Sequence, residues 1–267
     1  MSLFKYPENK KKKKALMKAA EEGDIASLKS LLNNGINVQL KYNKGNTALH
    51  IASKSGHQDF VSTLLAKGAD VNAKNYELYT PLLYAAETGH TDIVKTLLSN
   101  SADLNSKEAE NKYNALLTAV VAGHSDVVKL LLESGIDVNS KDKYGQSAIF
   151  LAAVKNHSDI VQILTDKGAD VNVPKGNTAL MAAAGEGNID IVRTLLNNGA
   201  NVNTLGARGD TALMSAAVSG HVEIVKLLLD KGADINIEIM GFTALSMASR
   251  KGHTEIVKML TQAAEMN

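Results

Sequence analysis

Hydrophobic positions in this chain fall into paired clusters that return every 31 to 34 residues, with polar stretches between the pairs. In one copy, Thr80 to Asn105, an apolar block Leu82 to Ala86 ends at Gly89. A second block, Ile93 to Leu98, follows, and then the polar segment Ala102-Asp103-Leu104-Asn105. The leading polar residue fixes the register. Thr47, Thr80, Asn114, Ser147, Thr178, Thr211 and Thr243 are separated by 33, 34, 33, 31, 33 and 32 residues. A fixed period of this size indicates supersecondary units stacked on their neighbours, with no single closed core.

Each unit reads as two helices. The Thr, Ser or Asn at its head is a residue type that caps free N–H groups at a helix start. Five residues later stands an alanine without exception: Ala52, Ala85, Ala119, Ala152, Ala183, Ala216 and Ala248. A small residue always at one position predicts a seam where neighbouring helices approach closely. Glycine ends the first helix at Gly56, Gly89, Gly123, Gly187, Gly220 and Gly252, where a left-handed residue is needed, and Asn156 stands there in the fifth copy. The second helix opens His-x-Asp/Glu with its acid in the first turn, where the helix dipole favours negative charge.

This pattern resembles the ankyrin repeat family, and the resemblance runs from Ala15 to Ala264. The family's Thr-Pro-Leu-His signature is incomplete in every copy: Pro81 and His50 are its only proline and histidine there, and Leu83, Leu117, Phe150, Met181, Met214 and Ser246 replace the histidine elsewhere. The Thr–His hydrogen bonding usual in the family is therefore expected to be missing from most copies. The resemblance implies an all-α solenoid of about eight helix-turn-helix units joined by short β-turn or hairpin tips. Residues 1–14 are expected to form a lysine-rich tail, and 15–267 a single repeat domain. Its capping repeat is 15–42, and later repeats begin at about Asn43, Tyr76, Glu110, Lys143, Pro174, Ala207 and Ile239.

Composition narrows the function. A formal net charge of +1 over 267 residues argues against direct binding to nucleic acid on global charge. With no cysteine there is no disulfide, thiolate metal site or cysteine nucleophile. No apolar run is long enough to cross a membrane, and no signal peptide is evident. The run Lys10 to Lys14 reads either as a nuclear-import or anionic-surface motif or as a solvated tail. Six histidines, His57, His90, His124, His157, His221 and His253, occupy one repeat position, and that spacing does not converge nitrogens on a metal. Catalytic residues, metal and cofactor are all expected to be absent.

In the family, partners contact the tips and the exposed end of the first helix. Carried onto this sequence, those positions give Tyr76, Tyr79, Tyr113 and Tyr144 in the tips, Val121, Val154 and Val218 at helix ends, and Met240 and Phe242 in the last tip. Tyrosine supplies large contact area at modest entropic cost, so these residues are the candidate partner-binding surface. The alternative role of the tyrosines is sideways packing between tips. Rule-breaking concentrates in repeats three to five, where Leu78 and Lys112 replace the tip glycine, Ser101 replaces the glycine after helix two, and one loop is a residue longer. The expected function is a cytoplasmic, monomeric, non-catalytic protein-binding module. The other reading is a targeting or inhibitory adaptor, for example one delivered into a host cell or entering the nucleus, that uses the groove together with the N-terminal tail.

Overall fold

The structure, a computed structural model, describes residues 5–172 and 177–266. The expected start of the sixth repeat at Pro174, and the apolar residues Leu3 and Phe4, lie outside them. The chain forms two compact units, Met1–Gly145 and Gln146–Asn267. The N-terminal unit holds α1 (Lys5–Glu22), α2 (Ile25–Asn33), α3 (Ala48–Ser55), α4 (Gln58–Ala66), α5 (Pro81–Thr88), α6 (Thr91–Ser99), α7 (Ala115–Ala122) and α8 (Ser125–Glu133), with a 3-10 turn at Asn43–Gly45. The C-terminal unit holds α9 (Ala148–Val154), α10 (Ser158–Asp166), α11 (Ala179–Glu186), α12 (Ile189–Asn197), α13 (Ala212–Ser219), α14 (Val222–Asp230), α15 (Ala244–Lys251) and α16 (Thr254–Met266).

Within each unit the odd-numbered helices pack on one another, and the even-numbered helices form a second layer behind them. The seam alanines explain the close approach: all seven are fully buried. Beneath them Leu49, Leu82, Leu116, Leu180 and Leu213, with the Ile/Val/Leu positions of the second helices, form a continuous core through each stack. Burying such a side chain contributes about 1.5–3 kcal/mol.

The helix ends follow their chemistry. Thr80, Asn114, Ser147, Thr178, Thr211 and Thr243 each accept a hydrogen bond from the backbone N–H three residues on. Only the second repeat has the Thr–His arrangement, with the Thr47 N–H donating to His50 Nδ1 at 3.1 Å. Asn156 takes the left-handed conformation of the glycines it replaces, at φ +62°, as do Leu78, Lys112 and Ser101 at theirs.

The expected hairpin tips are corrected by the structure. No β-strand occurs among the described residues, only isolated bridges at Tyr42–Asn46 and Ile239–Phe242. The tips are turns because side chains take the N–H groups that a hairpin ladder would pair. In the third repeat the Asn75 Oδ1 accepts from the backbone N–H of both Glu77 and Tyr79 at 2.9 Å. One backbone bond closes the base of that turn, Asn75 N–H to Tyr79 O at 3.0 Å. A second bond ties three tips of the N-terminal unit to the preceding one: Tyr76 N–H to Lys44 O, Ala109 N–H to Glu77 O and Lys143 N–H to Asn111 O, each 2.9 Å. The all-α, helix-turn-helix part of the expectation holds.

Candidate functional site

The recurring histidines decide how the first helices present their ends. His57, His90 and His124 donate from Nε2 to the carbonyls of Glu21, Lys54 and Glu87 in the preceding repeat, at 2.8, 3.1 and 3.0 Å. His221 and His253 do the same to Gly185 and Val218, at 3.0 and 3.2 Å. A carbonyl only accepts, so Nε2 carries the proton. Each acceptor lies two residues before the closing glycine, and the ring packs on that glycine. A Cβ at Gly56, Gly89, Gly187 or Gly220 would stand 2.6 to 2.7 Å from an imidazole atom. Asn156 carries a Cβ, and the next repeat has no histidine. Asn188 replaces it and turns back to accept from Ile191 N–H at 3.0 Å. These five histidines are therefore connectors between repeats.

A second connector runs along the loops after the second helices. Asn72 donates to Ser101 O and accepts from Asp103 N–H, at 3.2 and 2.8 Å. Gln39, Asn172 and Asn203 clamp the following loop in the same two-point manner. Sequence reading missed both connectors, since their partners lie roughly one repeat away and look like ordinary loop residues.

On the N-terminal unit the expected residues gather on adjacent tips. Tyr76 and Tyr144 are 76% and 70% exposed, Tyr79 and Tyr113 are half-buried, and Val121 is half-buried at the end of α7. The turns carrying them are locked. The Glu108 carboxylate accepts from the backbone N–H of Glu110, of Asn111 at 2.6 Å and of Tyr113 at 3.0 Å. The Asp142 carboxylate accepts from Tyr144 N–H at 2.8 Å. The ring of Tyr79 lies 4.8 Å from that of Tyr84, which meets His50 edge-on at 6.0 Å. Burial pushes the phenol of Tyr79 well above the usual tyrosine range, and Glu87 and Glu108 add to it. Tyr113 is raised too, chiefly by burial and then by Asp142 and Glu108. Both hydroxyls stay protonated and able to donate. Lys143 lies 4.8 Å over the Tyr144 ring, which leaves Tyr76 the more open aromatic face.

His50 was read only as a signature residue, yet it organises this end of the molecule. Its Nε2–H donates to Tyr79 O at 3.0 Å, joining the second repeat to the third tip. Burial lowers its pKa to about 4, so it is neutral at pH 7. Beside it a groove of about 520 Å³ is lined by Met17, Tyr42, Asn46, Ile51, Lys54 and Tyr84, among others.

The remaining expected residues belong to the C-terminal unit. Val218, Met240 and Phe242 line a groove of about 660 Å³ with Met214, Ile239 and Met247. Met240 is 90% exposed and Phe242, with Arg250 4.8 Å over its ring, is 36% exposed. Val154, exposed at the end of α9, is not part of that lining. Glu186, Arg208 and Asp210 supply the charge at this groove. Met214 and Met247 were not singled out as surface residues from the sequence, since both occupy the helix register of core residues. No group of three or more His, Cys, Asp or Glu side chains among the described residues could hold a metal. No helix among them is long and apolar enough to cross a membrane.

Comparison with known proteins agrees with this architecture. The family model described as ankyrin repeats (3 copies) matches residues 3–75, 75–142, 137–206 and 203–267. The crystal structure of the human ASB11 ankyrin repeat domain is similar, with a TM-score of 0.73 and 29% identity. The match covers 80% of this chain and 96% of that one. A search of the curated proteins found no match.

Proposed function

This chain belongs to the ankyrin-repeat family, and on that premise we propose that it binds a partner protein through its tips and the exposed ends of its first helices. Ankyrin-repeat domains serve as non-catalytic protein-interaction scaffolds, so the proposal concerns which surface this chain uses. One observation carries it: the tips of the N-terminal unit hold Tyr76, Tyr79, Tyr113 and Tyr144 on turns whose N–H groups are satisfied by Asn75, Glu108 and Asp142. A surface ordered before encounter loses less freedom on binding. Val121 extends this patch. Val218, Met240 and Phe242 offer a second one on the C-terminal unit, and Val154 is an exposed neighbour in the chain. The protein acts as a monomer in the cytoplasm, without direct contact to nucleic acid.

The test is affinity capture from the lysate of the native cell, with the intact chain beside a Tyr79→Ser/Tyr113→Ser variant of unchanged helicity. A protein retained by the first should be lost by the second, with a penalty of about 2 kcal/mol or more in calorimetry. Equal retention by both would remove the tyrosine surface from the proposal. The adaptor reading gains support from one feature: α1 runs through Lys10 to Lys14, so that run is helical.

A further inference from the structure

The positive charge of this chain is unevenly placed. Residues 1–14 contain six lysines and one acid, Glu8, for a net +5, and the chain total of +1 leaves −4 on residues 15–267. Helix α1 carries this charge directly to the groove of the N-terminal unit. Met17 and Glu21 of α1 line that groove. Lys13 and Lys14 precede Met17 by four and three residues and so stand on the same face of the helix. The Lys13 ammonium lies 5.9 Å from the centre of the Tyr42 ring, and Tyr42 is itself a wall of the groove. Across the groove the Lys54 ammonium lies 5.1 Å over Tyr84. Glu21 is the only acid in the lining.

We propose that this groove, walled by Met17, Tyr42, Ile51 and Tyr84 and flanked by Lys13, Lys14 and Lys54, docks an acidic peptide segment of a partner protein. The occupant inserts one aliphatic or aromatic side chain, and its carboxylates meet the lysines. The volume, about 520 Å³, suits such a side chain with its flanking backbone. Lysines resting on tyrosine faces are exposed ammonium groups on flexible stems, so they turn to a carboxylate at little cost. A bilayer is disfavoured because the apolar surface here is concave. His50, neutral at pH 7, leaves the groove floor uncharged. This inference rests on the protein-binding reading and names a partner chemistry for the groove beside the tyrosine tips, where Tyr84 meets Tyr79.

The experiment is fluorescence anisotropy of the full chain with a labelled peptide of about twelve residues, a central leucine flanked by Glu and Asp. Saturable binding is expected, weakening as salt rises from about 50 to about 300 mM. Lys13→Glu/Lys14→Glu should weaken it at least about tenfold, and a leucine-to-glycine change in the peptide should do so by a similar factor. Tyr113→Ser/Tyr144→Ser, at two tyrosines outside the groove lining, should leave it unchanged, which separates failure here from failure of the tyrosine surface in the capture experiment. Absence of saturable binding, equal binding of a peptide with Lys in place of its acids, or insensitivity to either change would overturn the proposal. So would tighter binding of vesicles rich in phosphatidylserine or of a single-stranded oligonucleotide.

Discussion

The third and seventh repeats have tips of equal length, Asn75 to Thr80 and Gly206 to Thr211, and fill them with opposite choices. In the N-terminal unit Asn75 supplies the acceptor for two turn N–H groups, Leu78 takes the left-handed position at φ +61°, and Tyr79 faces the surface. In the C-terminal unit Gly206 supplies no side chain, Gly209 takes the left-handed position, and Asp210 folds its carboxylate into the vacant space. Its Oδ1 would lie 2.6 Å from a Cβ on Gly206, and it is buried without a hydrogen-bond partner. The same turn is thus built once as a braced aromatic platform and once as a relaxed glycine loop beside methionines. The first accepts backbone strain and fixes its side chains. The second avoids strain and leaves a groove whose Met214, Met240 and Met247 adapt readily to different occupants.

Exchanging residues between the units tests this contrast. The largest effect is expected at His50, whose counterpart in the seventh repeat is Met214. Its pKa falls from 6.5 unfolded to about 4 folded, mainly through burial. Between those values only the unfolded chain binds the proton, so stability falls as pH drops from 6.5 to 4, by about 3 kcal/mol. His50→Met should abolish the dependence in that window, read as the denaturation midpoint against pH. Gly89→Asn, which imports the residue of position 156, should destabilise by about 2 kcal/mol because its Cβ meets the His124 ring. Adding His124→Asn should recover much of the loss, and strictly additive effects in that cycle would refute the connector. Leu78→Gly relieves a left-handed non-glycine residue and should raise stability by about 1 kcal/mol, while weakening any partner held by the tyrosine tips. Smallest is Gly206→Asn, expected to displace Asp210, brace the turn and stabilise by about 0.5–1 kcal/mol in thermal unfolding.

The sequence made the period, the caps and the alanine seam legible because each depends on residues within a turn or two of one another. Asn156, Leu78, Lys112 and Ser101 were readable as left-handed positions for the same reason, having replaced glycine in register. The hairpin expectation failed because it ignored competition. Asn75 and Glu108 take turn N–H groups as side-chain acceptors, and nothing in a strand pattern registers that. The candidate surface was partly legible. Tyr76 and Tyr144 were marked by their tip positions together with their chemistry, whereas the grooves depend on residues such as Tyr84 and Met247 that follow the helix register and look like core. The pairing of Asn156 with Asn188 was visible in the letters, but only the ring seated on glycine supplies its reason.

That seat has a consequence for how the array changes length over generations. A duplicated repeat arrives with both halves of its junction side by side in the chain, an imidazole such as His90 for the preceding repeat and a bare glycine such as Gly89 for the following one. It mates with its parent on either side and needs no newly evolved interface. The junction at Asn156 and Asn188 lacks this interchangeability. A copied histidine repeat placed after Asn156 meets a Cβ where it needs a gap, so insertions there must carry both asparagines or none.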